Sequence, residues 1–214
     1  MLVEEIKDVL KEKRCEGTPR TYVYVSELSS PCDLKIWYGL TGAKQNDLEA
    51  DTKLTFQQGS EIHRMMMHAL FKSREIEVIT AEADILDSDI VHGRVDCIFS
   101  RRGTDEMQLV DFKSSSGRAW DYIPQDSHIT QCQAYLYFLE NIERGWLLYL
   151  NKETQELAEF EVESDDGKIE NLIERAERLI EMAKEGEEPD EPDKSEWDFY
   201  ACNYCKYSEI CKTT

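Results

Sequence analysis

The chain has 214 residues, a net charge of −20 and a hydrophobic content of 41%. A chain of this length can bury one good core, and this composition is typical of a globular rather than a disordered protein. The negative charge argues against a protein that coats DNA, although an enzyme with a local basic groove or bound metal ions stays open. The sequence has no signal-peptide core and no apolar run long enough to cross a membrane, so we expect a cytoplasmic protein with reduced cysteines.

Hydrophobic periodicity predicts alternating helices and strands along the chain. In chain order, these are a helix over 1–14, a β-prone segment over 21–27, a short helix from about 31 to 39 or 42, a long helix over 52–73 with Asp51 as its N-cap, strands over 77–86, 89–100 and 108–113, a loop over 114–127, a helix over 128–140, strands over 145–151 and 157–163, and a helix over 168–184. A three-strand meander followed by a helix and another strand predicts an α/β fold, with a mixed sheet flanked by helices.

Much of the negative charge lies in a single run near the end of the chain. Residues 185–198 hold eight acidic residues and one lysine, together with two prolines. Such a run is typical of a solvated linker rather than a binding site.

Charged residues stand out on the strands over 89–100 and 108–113. Side chains alternate between the faces of a strand, so Asp111 and Lys113 share one face, and Asp96 is expected to face away from Val95 and Cys97. If the strands pair, two carboxylates and an ammonium group converge. Two neighbouring carboxylates repel unless a cation lies between them, which favours a Mg²⁺ site that takes substrate phosphate oxygens. The alternative is a surface hairpin with scattered charges.

The helix over 128–140 carries Gln131 and Tyr135 four residues apart, which places them on one face, with His128 one turn earlier. Beside an acidic metal site, a glutamine and a phenol could bind phosphate or orient the attacking water. A polar stripe at the edge of a core helix is the alternative. His63, on a Met-rich helix, fits either a core position or a metal ligand.

The cysteines give a clearer pattern. Cys202, Cys205 and Cys211 follow the spacing C-x₂-C-x₅-C, which brings three thiolates within reach of one zinc ion or iron–sulfur cluster. Cys32 is the best fourth ligand because it lies at a predicted helix start, where amide groups stabilise a thiolate. Of the remaining cysteines, Cys97 and Cys132 are expected to be buried thiols, and Cys15 is left unassigned.

These features occur in a recognisable order along most of the chain. The ordered set is Cys32, G-S-E-I-H ending at His63, G-R-V-D ending at Asp96, D-F-K from Asp111 to Lys113, Q-C-Q-A-Y from Gln131 to Tyr135, and the three late cysteines. The set resembles the RecB-like branch of the PD-(D/E)xK nucleases, and most closely the CRISPR-associated exonucleases of the "type four" family and their viral relatives.

The resemblance implies a restriction-endonuclease-like core with a small cysteine-ligated lobe that joins the two ends of the chain. A 4Fe–4S cluster would be held by Cys32, Cys202, Cys205 and Cys211. The implied organisation is an N-terminal helical segment over 1–50, a nuclease core over 51–186, and an acidic linker with the three-cysteine motif over 187–214. One departure is Asp33 with Leu34 after the early cysteine, where the family pattern has basic residues.

The resemblance also implies roles for the acidic site. Asp96 and Asp111 would bind Mg²⁺ or Mn²⁺, helped by His63 and the backbone carbonyl of Phe112. Lys113 would stabilise the attacking water or the phosphate.

For the neighbouring helix, the resemblance implies that Gln131 and Tyr135 contact DNA or orient the site. The implied activity is that of an exonuclease acting on single-stranded DNA ends, in CRISPR adaptation, viral DNA processing or recombination, with integrase or recombination proteins as partners. The competing interpretation is a non-catalytic nucleic-acid-binding subunit organised by zinc or a cluster.

Overall fold

A computed structural model of the chain describes residues 1–85, 89–142, 144–190, 202 and 205–211. Helices lie at α1 Leu2–Leu10, α2 Val25–Leu28, α3 Asp33–Leu40, α4 Ala50–Phe71, α5 Asp126–Phe138 and α6 Asp166–Glu185. Strands lie at β1 Val23–Tyr24, β2 Ile76–Ile85, β3 Val91–Arg101, β4 Met107–Ser115, β5 Arg144–Asn151 and β6 Leu157–Glu163. The expected turn at 87–88 and the linker from 191 to 198 lie outside the described residues.

The strands form one mixed sheet in the order β1-β3-β4-β5-β6, with β2 also paired to β3. β2, β3 and β4 are antiparallel neighbours, as the meander predicted. β5 runs parallel to β4 because α5 carries the chain back across the sheet before β5 begins. β6 returns antiparallel to β5.

Helices cover both faces of this sheet. α5 and α6 pack on one face, in a core that includes Leu109, Leu147 and Leu179. α4 packs on the other face, where Ile62 and Met66 meet residues of β3, β4 and β5. The predicted α/β sheet flanked by helices is confirmed.

The helix α5 lies unusually close to β5 at Gly145. A Cβ atom added to Gly145 would overlap the sulfur of Cys132 and lie 3.3 Å from a methyl carbon of Leu109. Cys132 is fully buried on α5. The absence of a side chain at Gly145 therefore sets how near the helix can come to the sheet.

Three local predictions differ from the structure. The β-prone segment over 21–27 contains only the two residues of β1 and then turns into α2, whose capping box joins Tyr24 and Glu27. Glu49, not Asp51, precedes the first turn of α4, and Asp51 lies within that turn. The predicted loop over 114–127 includes a 3₁₀ helix at Gly117–Tyr122.

Within the described ranges, no helix is both long enough and apolar enough to span a bilayer.

Candidate active site and cysteine lobe

The strands β3 and β4 part at Asp96. Their backbone pairing runs from Ser100 and Met107 to Cys97 and Val110. Beyond this point a side chain makes the hydrogen bond between the strands: Oδ2 of Asp96 accepts the backbone N–H of Phe112 at 2.7 Å. A carboxylate thus replaces a backbone carbonyl as the acceptor, and Asp96 lies between the two strands.

The alternation of faces along β3 breaks at the same place. Val95 belongs to the core beneath α5, whereas Cys97 belongs to the core beneath α4. The prediction that Val95 and Cys97 share the face opposite Asp96 was therefore wrong. On β2, the pairs formed by Val95 and Cys97 flank Glu82, which has a left-handed φ of 50°. Irregular backbone on β2 and the lost pairing with β4 together account for the change of face.

Asp111 is a buried carboxylate, 3% exposed, that faces Lys113. The ammonium of Lys113 lies 2.7 Å from Oδ2 of Asp111, but that oxygen has no hydrogen bond of good geometry. Burial raises the pKa of Asp111 to about 6; the charge of Lys113 opposes this rise and the charge of Asp96 adds to it. The site therefore holds an anion that a further cation would stabilise.

His63 reaches this site from α4. Its Nδ1 lies 3.4 Å from Oδ2 of Asp96, and the hydrogen bond to Asp96 raises the pKa of the imidazole. Burial acts to raise the pKa of Asp96, but His63 and the N–H of Phe112 outweigh it and lower that pKa overall. Asp96 is therefore ionised more readily than Asp111, although the two carboxylates are neighbours.

A chain of hydrogen bonds links Lys113 to α5. The ammonium of Lys113 donates to Oε1 of Gln131 at 2.8 Å, and Nε2 of Gln131 donates to the hydroxyl of Tyr135 at 2.9 Å. The hydroxyl of Tyr135 donates in turn to the backbone carbonyl of Arg94 at 2.8 Å. Burial raises the pKa of Tyr135, so the phenol stays a donor. The spacing of Gln131 and Tyr135 turns both side chains toward the acidic residues.

Two residues beside Lys113 had no role in the sequence-based interpretation. Tyr149 is the β5 neighbour of Lys113, and its hydroxyl lies 2.6 Å from Nδ1 of His128 and accepts the N–H of Gln125 at 3.2 Å. Burial, together with the charge of Lys113, lowers the pKa of His128 to about 4. Tyr149 was missed because a tyrosine in an apolar strand resembles core packing; only the position of His128 one turn before Gln131 pointed to the pair.

An open depression of about 610 Å³ lies between α4 and the edge of β2 and β3. His63, Asp96, Phe112, Arg94 and Glu82 are among its lining residues. A larger depression, of about 740 Å³, lies between α5 and β6 and is lined mainly by acidic and apolar residues without Asp96, Asp111 or Lys113. We place the candidate site in the smaller one because the convergent charged groups, not the volume, identify it.

The cysteine lobe, which consists of Cys32, Cys202, Cys205 and Cys211, brings the two ends of the chain together. The sulfur of Cys32 caps α3 by accepting the N–H of Lys35 at 3.3 Å. Burial raises the pKa of Cys32; the Lys35 N–H lowers it, and the charges of the other three cysteines raise it further. The other three cysteines therefore lie in the neighbourhood of Cys32.

Asn46 connects the segment around Cys205 to the N-terminal part of the chain by hydrogen bonds. Its backbone N–H donates to the carbonyl of Lys206 at 2.7 Å, and its side-chain amide donates to the carbonyl of Cys205 at 3.2 Å. Tyr207 is 2% exposed and packs against Tyr38, with the ring centroids 5.5 Å apart. These contacts join segments that are far apart in the sequence.

The acidic residue after Cys32 has a structural partner. Asp33 accepts Nε of Arg175 at 2.7 Å and Nη2 of Arg178 at 3.0 Å, and Arg175 also donates to the carbonyl of Ser30 at 2.7 Å. Two arginines of α6 thus hold the start of α3. The departure from the expected basic residues is explained by this contact.

Among the described residues, no group of three or more His, Cys, Asp or Glu side chains is arranged so that it could hold a metal ion as it stands. The chemistry of the donors at the acidic site nevertheless fits a divalent metal. Asp111 offers a buried oxygen that lacks a well-aligned partner. Both Asp and Cys side chains can turn about χ1, which is the adjustment that a closed ligand set requires.

Residues 37–212 match the family model of the PD-(D/E)XK nuclease superfamily. The chain belongs to this superfamily. No curated protein sequence matches the chain.

Solved structures of similar fold include SSO0001 and an alkaline exonuclease. The structure of SSO0001 has a TM-score of 0.58 at 20% identity, and the alignment covers 92% of this chain and 88% of that one. The alkaline exonuclease LHK-Exo from Laribacter hongkongensis has a TM-score of 0.55 at 13% identity, covering 86% and 93%. LHK-Exo in complex with dAMP has a TM-score of 0.52 at 13% identity, covering 78% and 89%. At these identities the likeness shows the fold alone.

Proposed function

We propose that this PD-(D/E)XK nuclease is a metal-dependent DNA exonuclease that hydrolyses phosphodiester bonds, with single-stranded ends as its preferred substrate. The observation that carries the proposal is the arrangement at the parting of β3 and β4. Asp96 lies between the strands, and the buried Asp111 faces a lysine that α5 holds in place. Opposite charges converge there beside an open depression.

The residues that would hold Mg²⁺ or Mn²⁺ are Asp96, Asp111, His63 and the backbone carbonyl of Phe112. The metal, when bound, lowers the pKa of a coordinated water and offsets the charge that develops on the phosphate. The fit rests on the buried Oδ2 of Asp111, which lacks a well-aligned hydrogen bond. Oxygen-rich, carboxylate-based ligands are those that Mg²⁺ and Mn²⁺ prefer.

Lys113 supplies the positive charge of the protein itself. Its ammonium can orient the attacking water or pair with a non-bridging phosphate oxygen as the water oxygen bonds to phosphorus and the bond to the leaving sugar oxygen breaks. Gln131 and Tyr135 would hold Lys113 at the site through their hydrogen bonds to one another and to the carbonyl of Arg94. A pre-positioned charge of this kind loses little free energy to reorganisation during the reaction.

The preference for DNA ends is supported by fold similarity to LHK-Exo, an alkaline exonuclease whose structure with dAMP has been solved. The single-strand preference and the assignment to CRISPR adaptation, viral DNA processing or recombination rest on the ordered motifs. Integrase or recombination proteins are the partners that fit those settings.

For the cysteine lobe we propose a 4Fe–4S cluster held by all four cysteines. The spacing of Cys202, Cys205 and Cys211 supports this, because thiolates hold such clusters. The hydrogen bonds of Asn46 to the carbonyls of Cys205 and Lys206 also bring this segment to the N-terminal part of the chain. The division into an N-terminal segment over 1–50, a core over 51–186 and a C-terminal segment over 187–214 follows from the same proposal, because the cluster would join the outer two segments.

The nuclease proposal is tested with labelled single- and double-stranded DNA in Mg²⁺, in Mn²⁺ and in EDTA. We expect cleavage that requires metal and that is abolished by Asp111→Asn but not by Asp105→Asn, a change in the exposed turn between β3 and β4. Cleavage in EDTA, or full activity of the Asp111→Asn variant, would contradict the proposal.

The cluster proposal is tested by purification without oxygen, a visible spectrum, and measurement of iron and acid-labile sulfide. We expect a brown protein with iron and sulfide in equal amounts, as a 4Fe–4S cluster requires. A colourless protein with bound zinc would show that the lobe is a zinc site instead.

A further inference from the structure

A group of aromatic side chains lies where β1 joins β3. The rings of Tyr22 and His92 are stacked, with centroids 3.7 Å apart and planes 14° from parallel. Tyr24 meets Tyr22 edge-on at 5.3 Å and is 45% exposed. We call Tyr22, Tyr24 and His92 the aromatic platform. Tyr24 is exposed, and Tyr22 and His92 are half-buried, so the platform lies at the surface without belonging to the buried core.

Arg20 supports the aromatic platform from the protein side. Its guanidinium lies 4.5 Å from the ring centroid of Tyr24 and 5.6 Å from that of Tyr22. The Arg20 side chain is 11% exposed, pairs with Glu27 at 2.5 Å and donates to the carbonyl of Gly39 at 3.2 Å. The rings are therefore held in place before any ligand arrives.

The aromatic platform and the candidate active site share one face of β3. Gly93 faces the opposite side, since a Cβ there would lie 2.5 Å from Val25 and 3.1 Å from Tyr135. His92 and Arg94 therefore face the side of the open depression, which Arg94 and Asp96 both line. At about 3.3 Å per residue, His92 is roughly 13 Å along the strand from Asp96.

Arg94 lies between the two. It is exposed, and within the described part of the chain its guanidinium makes no ion pair or hydrogen bond, although the protein carries a net charge of −20. Asp84 is its neighbour on β2 and Glu82 lines the same depression, yet no ion pair to either is formed among the described residues. The guanidinium is therefore available to a phosphate group, which an arginine binds through two parallel N–H bonds.

We propose that the face of β3 from His92 to Asp96 is a track for single-stranded DNA, on which the aromatic platform stacks an unpaired base. This proposal deepens the proposed nuclease function and rests on it for the position of the scissile phosphate. Arg94 pairs with a phosphate between that position and the stacked base. The base extends the stack of Tyr22 and His92.

Such a track selects single strands for a physical reason. In a duplex each base is already stacked on its neighbours and paired, so its face is not available to a protein ring. In a single strand the base can leave its neighbours and stack on an aromatic side chain, with little dependence on its identity. The aromatic platform would therefore favour unpaired ends without reading their sequence.

Binding is measured by fluorescence anisotropy with a labelled 12-nucleotide single strand in EDTA. Every protein carries Asp111→Asn, so no cleavage occurs and one repelling carboxylate is removed. Loss of one stacked base corresponds to roughly a 5- to 150-fold weaker affinity. We expect a loss in this range for Tyr22→Ala, and near-unchanged binding for Tyr22→Phe, which keeps the ring.

The matched control for Arg94 is Arg101, an exposed arginine at the other end of β3, about 23 Å away along the strand. Arg94→Gln should weaken binding and reduce its salt dependence by about one counterion, whereas Arg101→Gln should change neither. Equal effects of the two changes would overturn the track, because they would show only a general charge effect.

The decisive measurement replaces one base at a time by an abasic site. With Tyr22 present, one abasic position should weaken binding as much as Tyr22→Ala does, and with Tyr22→Ala that position should cost nothing further. This series tests stacking in a protein whose platform is intact, so it does not depend on the folding of Tyr22→Ala. If no abasic position distinguishes the two proteins, the stacking proposal is wrong.

The two proposals fail separately. A protein that cleaves DNA with metal but shows no special abasic position keeps the nuclease function and loses the track. A protein that shows the abasic signature but never cleaves keeps the binding site and loses the nuclease function.

Discussion

The candidate active site and the cysteine lobe draw their side chains from very different lengths of chain. In the active site, the residues from Asp96 to Tyr135 come from consecutive elements, and only His63 is added from α4. In the lobe, Cys32 meets cysteines that follow some 170 residues later in the sequence, counted from Cys32 to Cys202. Strand pairing therefore positions the first site, while the second depends on a few contacts between distant segments.

The two sites also differ in how their charges are balanced. The active site pairs Asp111 with Lys113 and Asp96 with His63, so that unlike charges already meet. The lobe brings together four groups that all become negative when they ionise. We therefore expect substitutions in the candidate active site to lower mainly the rate of cleavage. We expect substitutions in the cysteine lobe to lower mainly the free energy of unfolding.

The largest expected effect tests the lobe. Cys205→Ser removes one proposed cluster ligand, and a cross-link that closes a loop of this length stabilises a protein by about 5 kcal/mol. We expect the free energy of unfolding to fall by about this amount in denaturant titrations under anaerobic conditions. Cys15→Ser is the matched control, because Cys15 is exposed and lies outside the lobe. Equal stability of the two variants would show that no cross-link exists.

The next effect tests the active site. Lys113→Met removes the charge that would face the phosphate in the proposed mechanism, and we expect single-turnover cleavage to slow by about 10²- to 10³-fold. The loss of stability should be below the roughly 3–5 kcal/mol typical of a broken buried ion pair, because Asp111 can take up a proton. Lys184→Met, at an exposed pair on α6, should leave cleavage unchanged. A large loss of stability without loss of cleavage would reverse the contrast between the two regions.

A third effect concerns pH. The pKa of His128 is lowered to about 4 from its ordinary value of 6.5, so the unfolded chain binds a proton more readily than the folded one. Stability from neutral His128 is therefore complete above about pH 6.5 and is lost as the pH falls toward 4, with about 2 kcal/mol lost by pH 5. Asp111 acts in the opposite sense, since its raised pKa favours the folded state as pH falls.

The contribution of His128 is isolated by comparison with His128→Gln. Unfolding of both proteins is measured at pH 7.5 and at pH 5, and the wild type should lose about 2 kcal/mol more than the variant. Identical pH dependence would mean that His128 is as easily protonated in the folded protein as in the unfolded chain.

The smallest effect tests how the lobe is held. Arg175→Gln removes the partly buried bonds to Asp33 and Ser30 and should lower stability by about 1 kcal/mol. Arg178→Gln removes a more exposed pair with the same carboxylate and should cost less than about 0.5 kcal/mol. If Arg178→Gln lowered thermal stability more than Arg175→Gln, the exposure of each arginine would not determine how strongly it stabilises the contact with Asp33.

The regular parts of the molecule followed from the sequence. The meander was predictable because three β-prone runs follow one another with only short polar segments between them. The common direction of Gln131 and Tyr135 was predictable because four residues make about one helical turn. Each of these features depends only on local spacing.

The irregular parts did not follow. The parting of the strands at Asp96 depends on a side chain that replaces a backbone acceptor, and the left-handed φ of Glu82 has no glycine or asparagine to announce it. The parallel pairing of β1 with β3 is two residues long and leaves no periodic signal. The partners of Asp33 come from α6, far along the chain. Such features depend on tertiary contacts that one-dimensional patterns do not contain.

The close approach at Gly145 has a consequence for how this protein can be altered. A methyl group at that position would push α5 away from β5, and the helix would carry Gln131 and Tyr135 with it. Gly145 touches neither DNA nor metal in the proposed mechanism, yet its substitution would lengthen the contact between Gln131 and Lys113. The distance between α5 and the proposed catalytic groups on β4 is thus set by a glycine that lies outside the candidate site.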